Sequence, residues 1–146
     1  MRSITKPIVL AGLAFFALTA STTLLRAETI SYKVALKSSE EVPPNASKGT
    51  GTADVTFDTA SKQLKYKVTY SGLSGAATMG HFHGPAEPGK NAGVVVPFAN
   101  AASPIEGTAT LTDQQAADLT AGKWYINIHT AENKGGEIRG QVVKGK

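Results

Sequence analysis

The sequence predicts an all-β protein: an antiparallel, Greek-key-like β-sandwich of seven or eight strands with one short connecting helix. Apolar and polar residues alternate through a series of short segments, which is the pattern of strands that bury one face and expose the other. Turns rich in Gly, Pro, Asn and Ser separate these segments. Only one segment has helical spacing, so short antiparallel strands around one core are expected.

The first three strands are predicted over residues 29–36, 50–58 and 64–70, where every second residue is apolar. A loop with two adjacent prolines, over 38–48, separates the first strand from the second. The second and third flank a short polar turn at 58–62, which predicts an antiparallel hairpin.

The second half of the chain continues the pattern. A Gly- and Ser-rich connection at 71–75 leads to a strand that contains His81 and His83, and a loop rich in Pro and Gly follows it. Four more strands are expected, at 94–98, 105–111, 123–130 and 137–143. A tight turn at 133–136 is predicted to join the last two.

One helix is expected between the strands at 105–111 and 123–130. Thr112 is a favourable N-cap, Gln115 completes a capping-box pattern, and Gly122 suits the position after the C-cap. The apolar residues between these caps form a single stripe, which predicts a short helix that packs by one side.

The N-terminus is predicted to be an export signal peptide, residues 1–27. Arg2 and Lys6 form a positive start, and the apolar stretch at 8–20 is too short to span a bilayer comfortably. Ala27 is a suitable last residue before cleavage. The alternatives are an earlier cleavage point within the same segment and an uncleaved anchor. A periplasmic or secreted location follows, with no membrane attachment after cleavage.

Cleavage would leave residues 28–146 as a single domain, long enough for one hydrophobic core. The signal holds three of the 15 basic residues and none of the 11 acidic ones, so the net charge of +4 falls to +1. The basic character therefore belongs to the signal and gives no support for nucleic-acid binding.

The chain contains no cysteine. Disulfides, zinc–thiolate sites, iron–sulfur clusters and blue-copper centres are therefore excluded. No Ser-His-Asp arrangement, phosphate-binding glycine loop or pair of catalytic carboxylates is recognisable, so an enzyme is the less favoured class. Redox chemistry at an open position of a copper site stays an alternative.

All three histidines lie in two strand segments, His81 and His83 in the first and His129 in the second. Because side chains alternate along a strand, His81 and His83 point to one face and Phe82 to the other. His129 alternates with the isoleucines that precede it, so all three imidazoles are expected outside the core. If the two strands are close, the rings converge as a transition-metal site requires, with copper favoured by the affinity order and zinc as the alternative.

Met79 and Glu137 are accessory candidates for this metal site. Met79 lies on the histidine face and could add a thioether that favours Cu(I), with packing as the alternative role. Glu137 could bind the metal or orient a histidine, and an ion pair with Arg139 or Lys134 is the alternative.

Three other residues of the second histidine strand have simpler expected roles. Asn127 lies on the face of His129 and is either a hydrogen-bond partner of an imidazole or an ordinary polar strand residue. Trp124 and Tyr125 are expected to be core and rim aromatics.

Several segments resemble the CHRD domain, a family named after chordin and also found in many exported bacterial proteins. They are the first histidine strand with its Gly-Pro-Ala exit, the capped helix, the second histidine strand, the last strand and a Glu-Glu-Val-Pro-Pro segment: 80–86, 111–122, 124–130, 136–141 and 40–44. The resemblance covers about residues 29–143. It implies a β-sandwich and no firmly assigned activity.

A looser likeness is to the copper site of copper,zinc superoxide dismutases, where a Phe-His-x-His strand is combined with a histidine on a later strand. His81, His83 and His129 would match three copper ligands. The chain departs from that pattern because it has no further histidine to bridge to a zinc ion and lacks the disulfide cysteines.

The favoured function is an exported CHRD-domain protein that binds one transition metal as a carrier, buffer or scavenger. One alternative is a structural or protein-interaction module without metal. The other is a copper-dependent redox enzyme related to superoxide dismutase. The sequence identifies no protein partner.

Overall fold

The computed structural model describes residues 26–145, which form eight strands and one α-helix. The elements are β1 Thr29–Lys37, β2 Thr50–Asp58, β3 Gln63–Ser71, β4 Ala77–His83, β5 Val94–Pro97, β6 Ile105–Thr110, α1 Asp113–Thr120, β7 Trp124–Thr130 and β8 Ile138–Val142. A 3-10 turn, Ser38–Glu40, follows β1. The predicted all-β class with one short connecting helix is confirmed, whereas the signal-peptide prediction for residues 1–27 lies almost wholly outside the described residues.

The eight strands form one antiparallel sheet in the order β5-β4-β7-β8-β1-β2-β3-β6. The sheet curls on itself, because β3 and β4, far apart in that order, meet in the core. The ring centroids of Tyr66 on β3 and Phe82 on β4 lie 5.2 Å apart. The result is a nearly closed sandwich whose inner faces share one hydrophobic core.

Alternation sorts the residues of β1 as the sequence predicts. Tyr32, Val34 and Leu36 are buried in the core, whereas the residues between them are exposed. The predicted hairpin of β2 and β3 also forms. Burial of each large apolar side chain contributes roughly 1.5–3 kcal/mol, so the inward faces of these strands stabilise the fold.

Strand β7 departs from simple alternation, because every residue from Trp124 to Thr130 is buried. Its apolar side chains enter the core, and loops cover its other face. The loop after β4 reaches it through a hydrogen bond from the Ala92 backbone N–H to the Tyr125 hydroxyl. The β7–β8 connection reaches it through a hydrogen bond between His129 and the Lys134 carbonyl. The histidine face of β7 is therefore covered by chain rather than by solvent.

The β7–β8 connection is longer than the tight turn predicted at 133–136. It spans residues 131–137, because β7 ends at Thr130 and β8 begins at Ile138. The added residues let the connection fold back over β7, where the Lys134 carbonyl meets a histidine ring.

Helix α1 has the predicted caps. The Thr112 hydroxyl accepts from the Gln115 backbone N–H, and the Gln115 side chain accepts from the Thr112 backbone N–H, which completes the capping box. Gly122 has a φ of +74°, the left-handed conformation expected just after a C-cap. Leu119 is buried and anchors the helix to the core. Within residues 26–145, no helix is long and apolar enough to cross a membrane.

Candidate metal centre

The three histidines meet on one face of two neighbouring strands. His81 and His83 lie on β4 and His129 on β7, and the antiparallel register places His81 opposite Asn127 and Met79 opposite His129. Ring centroids lie 5.0 Å apart for His81 and His129, and 5.2 Å apart for His81 and His83. One ligand nitrogen from each of the three rings lies within 4.8 Å of the others. The convergence that the strand alternation predicts is present.

His83 is oriented through one of its ring nitrogens. Its Nδ1 lies 3.0 Å from the Ala92 carbonyl and donates to it, because a carbonyl can only accept. Its Nε2 therefore carries the lone pair, and this atom is buried; the Asn127 amide lies close to the ring but does not meet the geometry of a hydrogen bond, so Nε2 has no partner. Tyr125 stacks on the ring at a centroid distance of 4.8 Å and an angle of 4°. Burial lowers the pKa of His83, which favours the neutral form that binds metals.

His129 is held in the same way. Its Nδ1 donates to the Lys134 carbonyl at 2.8 Å, which leaves Nε2 for other partners. This Nε2 lies 3.2 Å from His81 Nδ1 and 2.9 Å from Asn127 Oδ1. A hydrogen bond from the second ring nitrogen to a carbonyl is the arrangement that fixes the tautomer and orientation of metal-binding histidines.

His81 is the most exposed of the three rings. Burial, followed by the neighbouring rings of His129 and His83, lowers its pKa to about 4. The ring is therefore neutral at pH 7 and keeps a nitrogen lone pair available.

The cluster of three imidazoles could hold a metal ion. Two nitrogens bound to one metal at about 2.1 Å each are at most about 4.2 Å apart. A separation of 4.8 Å would therefore have to close by on the order of 1 Å on binding. Imidazole nitrogen suits Cu, Zn, Ni and Fe, so the donor set is compatible with a transition metal and does not select one.

A buried arginine supports this site through Tyr125. The Arg139 guanidinium carbon lies 3.4 Å from the centre of the Tyr125 ring, the same ring that stacks on His83. Arg139 is 2% exposed and donates to Asn91 Oδ1 and to the Lys90 carbonyl. The sequence does not predict this role, because alternation places Arg139 on the outward face of β8 but does not show that the loop after β4 covers that face.

The Glu137 carboxylate is held by hydrogen bonds from neighbouring loops and strands. Its fully buried carboxylate accepts hydrogen bonds from four residues: Ser47, Ser74, Thr130 and Asn133. Burial acts to raise the pKa of Glu137, but these donors outweigh it and lower the pKa to about 2. The predicted alternative of an ion pair with Arg139 or Lys134 is wrong, since neither cation is among these partners within the described part of the chain.

Met79 lies on the same face of β4 as His81 and is 48% exposed. It lies opposite His129 in the sheet, so it is a cross-strand neighbour of the cluster. About half of the Met79 side chain is buried, so both the packing role and the accessory role at the metal site stay predictions.

Glu41 is a second residue that sequence analysis missed. It is 4% exposed, and burial raises its pKa to about 7, although Arg139 and Asn127 nearby act to lower it. The Asn127 amide does not meet the geometry of a hydrogen bond, so Glu41 Oε1 has no partner. An acidic residue in a polar loop carries no sequence signal that distinguishes burial from exposure.

The fold and the site together define an antiparallel β-sandwich domain with a partly buried cluster of three imidazoles. The family model of the CHRD domain matches residues 32–142. The chain therefore belongs to the CHRD family, and the resemblance of its motifs to that family is confirmed. No curated protein and no solved structure matches the chain.

Proposed function

We propose that this protein is an exported metal-binding CHRD domain. It binds one transition metal through His81, His83 and His129 and serves as a carrier, buffer or scavenger. Copper is favoured, because it stands at the top of the affinity order for such donors, and zinc is the alternative. The looser likeness to the copper site of superoxide dismutases supports the same choice.

One observation carries the proposal: the rings are pre-oriented with their lone pairs available. His83 and His129 each donate Nδ1–H to a backbone carbonyl, which commits both Nε2 atoms to accept. The Nε2 of His83 is buried without a hydrogen-bond partner, a costly state for a polar atom. A bound metal would compensate that cost, whereas a purely structural role for the ring would leave it in place.

Calorimetric titration of the purified, metal-free protein with Cu(II) and Zn(II) tests the proposal. We expect one site with a dissociation constant below about 10 μM for at least one of the two ions. His83→Ala is expected to weaken that binding at least about tenfold. The matched control is Gln114→Ala, an exposed change on α1, which should leave the isotherm unchanged. Absence of binding, or an unaltered isotherm in His83→Ala, would contradict the proposal.

Export rests on the N-terminal segment, which combines a positive start with an apolar stretch. We expect the protein produced with its own N-terminus in a bacterial host to appear outside the cytoplasm with Glu28 as its first residue. Intact-mass measurement of the recovered protein checks this expectation. A mass that corresponds to the full chain would contradict cleavage after Ala27.

A further inference from the structure

The oxygen of Asn127 lies among the imidazole nitrogens. Asn127 is opposite His81 in the sheet and is 3% exposed. Its Oδ1 lies 2.9 Å from His129 Nε2, and the same Nε2 lies 3.2 Å from His81 Nδ1. His129 Nε2 therefore lies within hydrogen-bonding distance of both an amide oxygen and a second imidazole nitrogen.

When the His129 ring is neutral, its hydrogen bond to the Lys134 carbonyl leaves no proton for the shortest of these contacts. Its Nδ1 carries the proton that is donated to the Lys134 carbonyl. In a neutral ring, Nε2 then has only a lone pair, and an amide oxygen also has only lone pairs to offer. Two acceptors at 2.9 Å repel each other unless a proton or a metal cation lies between them. The contact between Asn127 Oδ1 and His129 Nε2 is therefore the arrangement expected of two ligands of one metal ion.

The neighbours of Asn127 Nδ2 set the orientation of the Asn127 side-chain amide. Asn127 Nδ2 faces the Gly135 carbonyl at 3.5 Å and lies beside the Glu41 carboxylate. Turning the amide over would place its oxygen against these two groups of oxygen acceptors, where a donor is required. Gly136 allows this close packing, since a Cβ there would come within 2.7 Å of Asn127 Nδ2 and 2.3 Å of Glu41 Oε1. The oxygen of Asn127 is thereby directed toward the histidines.

We propose that Asn127 Oδ1 is the fourth ligand of the metal, which completes a set of three imidazole nitrogens and one amide oxygen. This inference rests on the proposed three-histidine site. Two ligands bound at about 2.0–2.1 Å with angles of about 90–110° lie about 2.9–3.4 Å apart. The two contacts of His129 Nε2, at 2.9 and 3.2 Å, fall in that range.

The fourth ligand determines which metal ions the site selects. Amide oxygen is a hard donor, so it stabilises Cu(II) and Zn(II) more than Cu(I). The thioether of Met79 would have the opposite effect, because soft donors favour Cu(I). Asn127 is buried in contact with His129, whereas Met79 is half exposed. The site is therefore a Cu(II) or Zn(II) site.

The test compares three ions in the purified protein and in Asn127→Leu, which removes the oxygen and keeps a similar volume. We expect affinity for Cu(II) and Zn(II) to fall at least about tenfold and affinity for Cu(I) to change by less than about threefold. Asn100→Leu, the same substitution at an exposed loop position, is the matched control and should leave the affinity for all three ions unchanged. Circular dichroism of the metal-free variants verifies that each is folded.

The outcomes separate the two proposals. Absence of metal binding by the unmodified protein would contradict the proposed three-histidine site itself. Normal binding by Asn127→Leu would overturn only the fourth ligand. An equal loss for all three ions would also overturn it, since Asn127 would then act by positioning His129. Should Asn127→Leu not fold, the side-chain carbonyl ¹³C resonance of Asn127 in the unmodified protein decides: Zn(II) should shift it, and an unshifted resonance overturns the proposal.

Discussion

Two buried glutamates in the loops near the histidine strands meet different surroundings. Hydroxyl and amide donors lower the pKa of Glu137 to about 2 despite its burial. Burial raises the pKa of Glu41 to about 7 despite the nearby Arg139. A pKa that differs between the folded and unfolded chains makes the free energy of unfolding depend on pH. Since folding lowers the pKa of Glu137 and raises that of Glu41, the two residues change this free energy with pH in opposite directions.

Glu137→Gln should destabilise the fold at neutral pH. The lowered pKa means that the ionised form contributes stability above about pH 4.5 and that this contribution is lost as the pH falls toward 2. We expect a loss on the order of 2–3 kcal/mol at pH 7 and little difference from the unmodified protein near pH 2. Urea unfolding at both pH values measures it. The control is Glu106→Gln, an exposed partner of Lys67, which should cost less than about 1 kcal/mol.

Glu41→Gln should show the reverse pH dependence. The raised pKa means that folding favours the protonated carboxyl, so its contribution is complete below about pH 4.5 and is lost as the pH rises to about 7. Glutamine resembles the protonated acid, so the variant should be more stable than the unmodified protein at pH 8, by on the order of 2 kcal/mol, and similar to it at pH 4.5. Urea unfolding of Glu41→Gln and the unmodified protein in metal-free buffer, at pH 8 and pH 4.5, checks this prediction. A variant that is less stable at pH 8 would show that the Glu41 charge is stabilised by Arg139.

Strand β8 joins the β5-β4-β7 half of the sheet to the β1-β2-β3-β6 half through a short pairing with β1. It pairs with β7 on one side, and with β1 on the other only at Lys37 and Arg139. Gly140 makes this approach fit, because a Cβ at that position would come within 2.3 Å of the Ala35 carbonyl oxygen. Backbone, unlike the end of a flexible side chain, cannot move aside cheaply.

Gly140→Ala is therefore expected to destabilise the protein by about 1–3 kcal/mol, as overpacking does in well-packed interiors. Gly75→Ala is the matched control, since a Cβ there would meet nothing within 4 Å. It should be neutral or slightly stabilising. Thermal unfolding of both variants checks the prediction. Equal stabilities would mean that the joint between β8 and β1 is loose.

Across the molecule, alternation predicted which side chains of each strand face the core, but it did not predict which loops cover the outward faces. The histidine faces of β4 and β7 followed from alternation alone, as did the buried Phe82 between them. Arg139 and Glu41 were missed, because their burial depends on loops that fold back over the sheet. Loop paths depend on long-range contacts, such as those from Arg139 to Asn91 and Lys90, which no short sequence pattern encodes.

The three histidines lie on β4 and β7, so a metal bound by all of them would link the two strands and should stabilise the entire sandwich. A ligand that binds only the folded chain adds about 2.7 kcal/mol at a free concentration of 100 times its dissociation constant. For a domain of this size, that corresponds to a rise in Tm of roughly 10 °C. Differential scanning calorimetry with Cu(II) or Zn(II) measures the rise, and a chelator should reverse it. Mg(II), which prefers oxygen ligands, should have no effect. An equal rise in His83→Ala would show that the ions bind elsewhere on the protein.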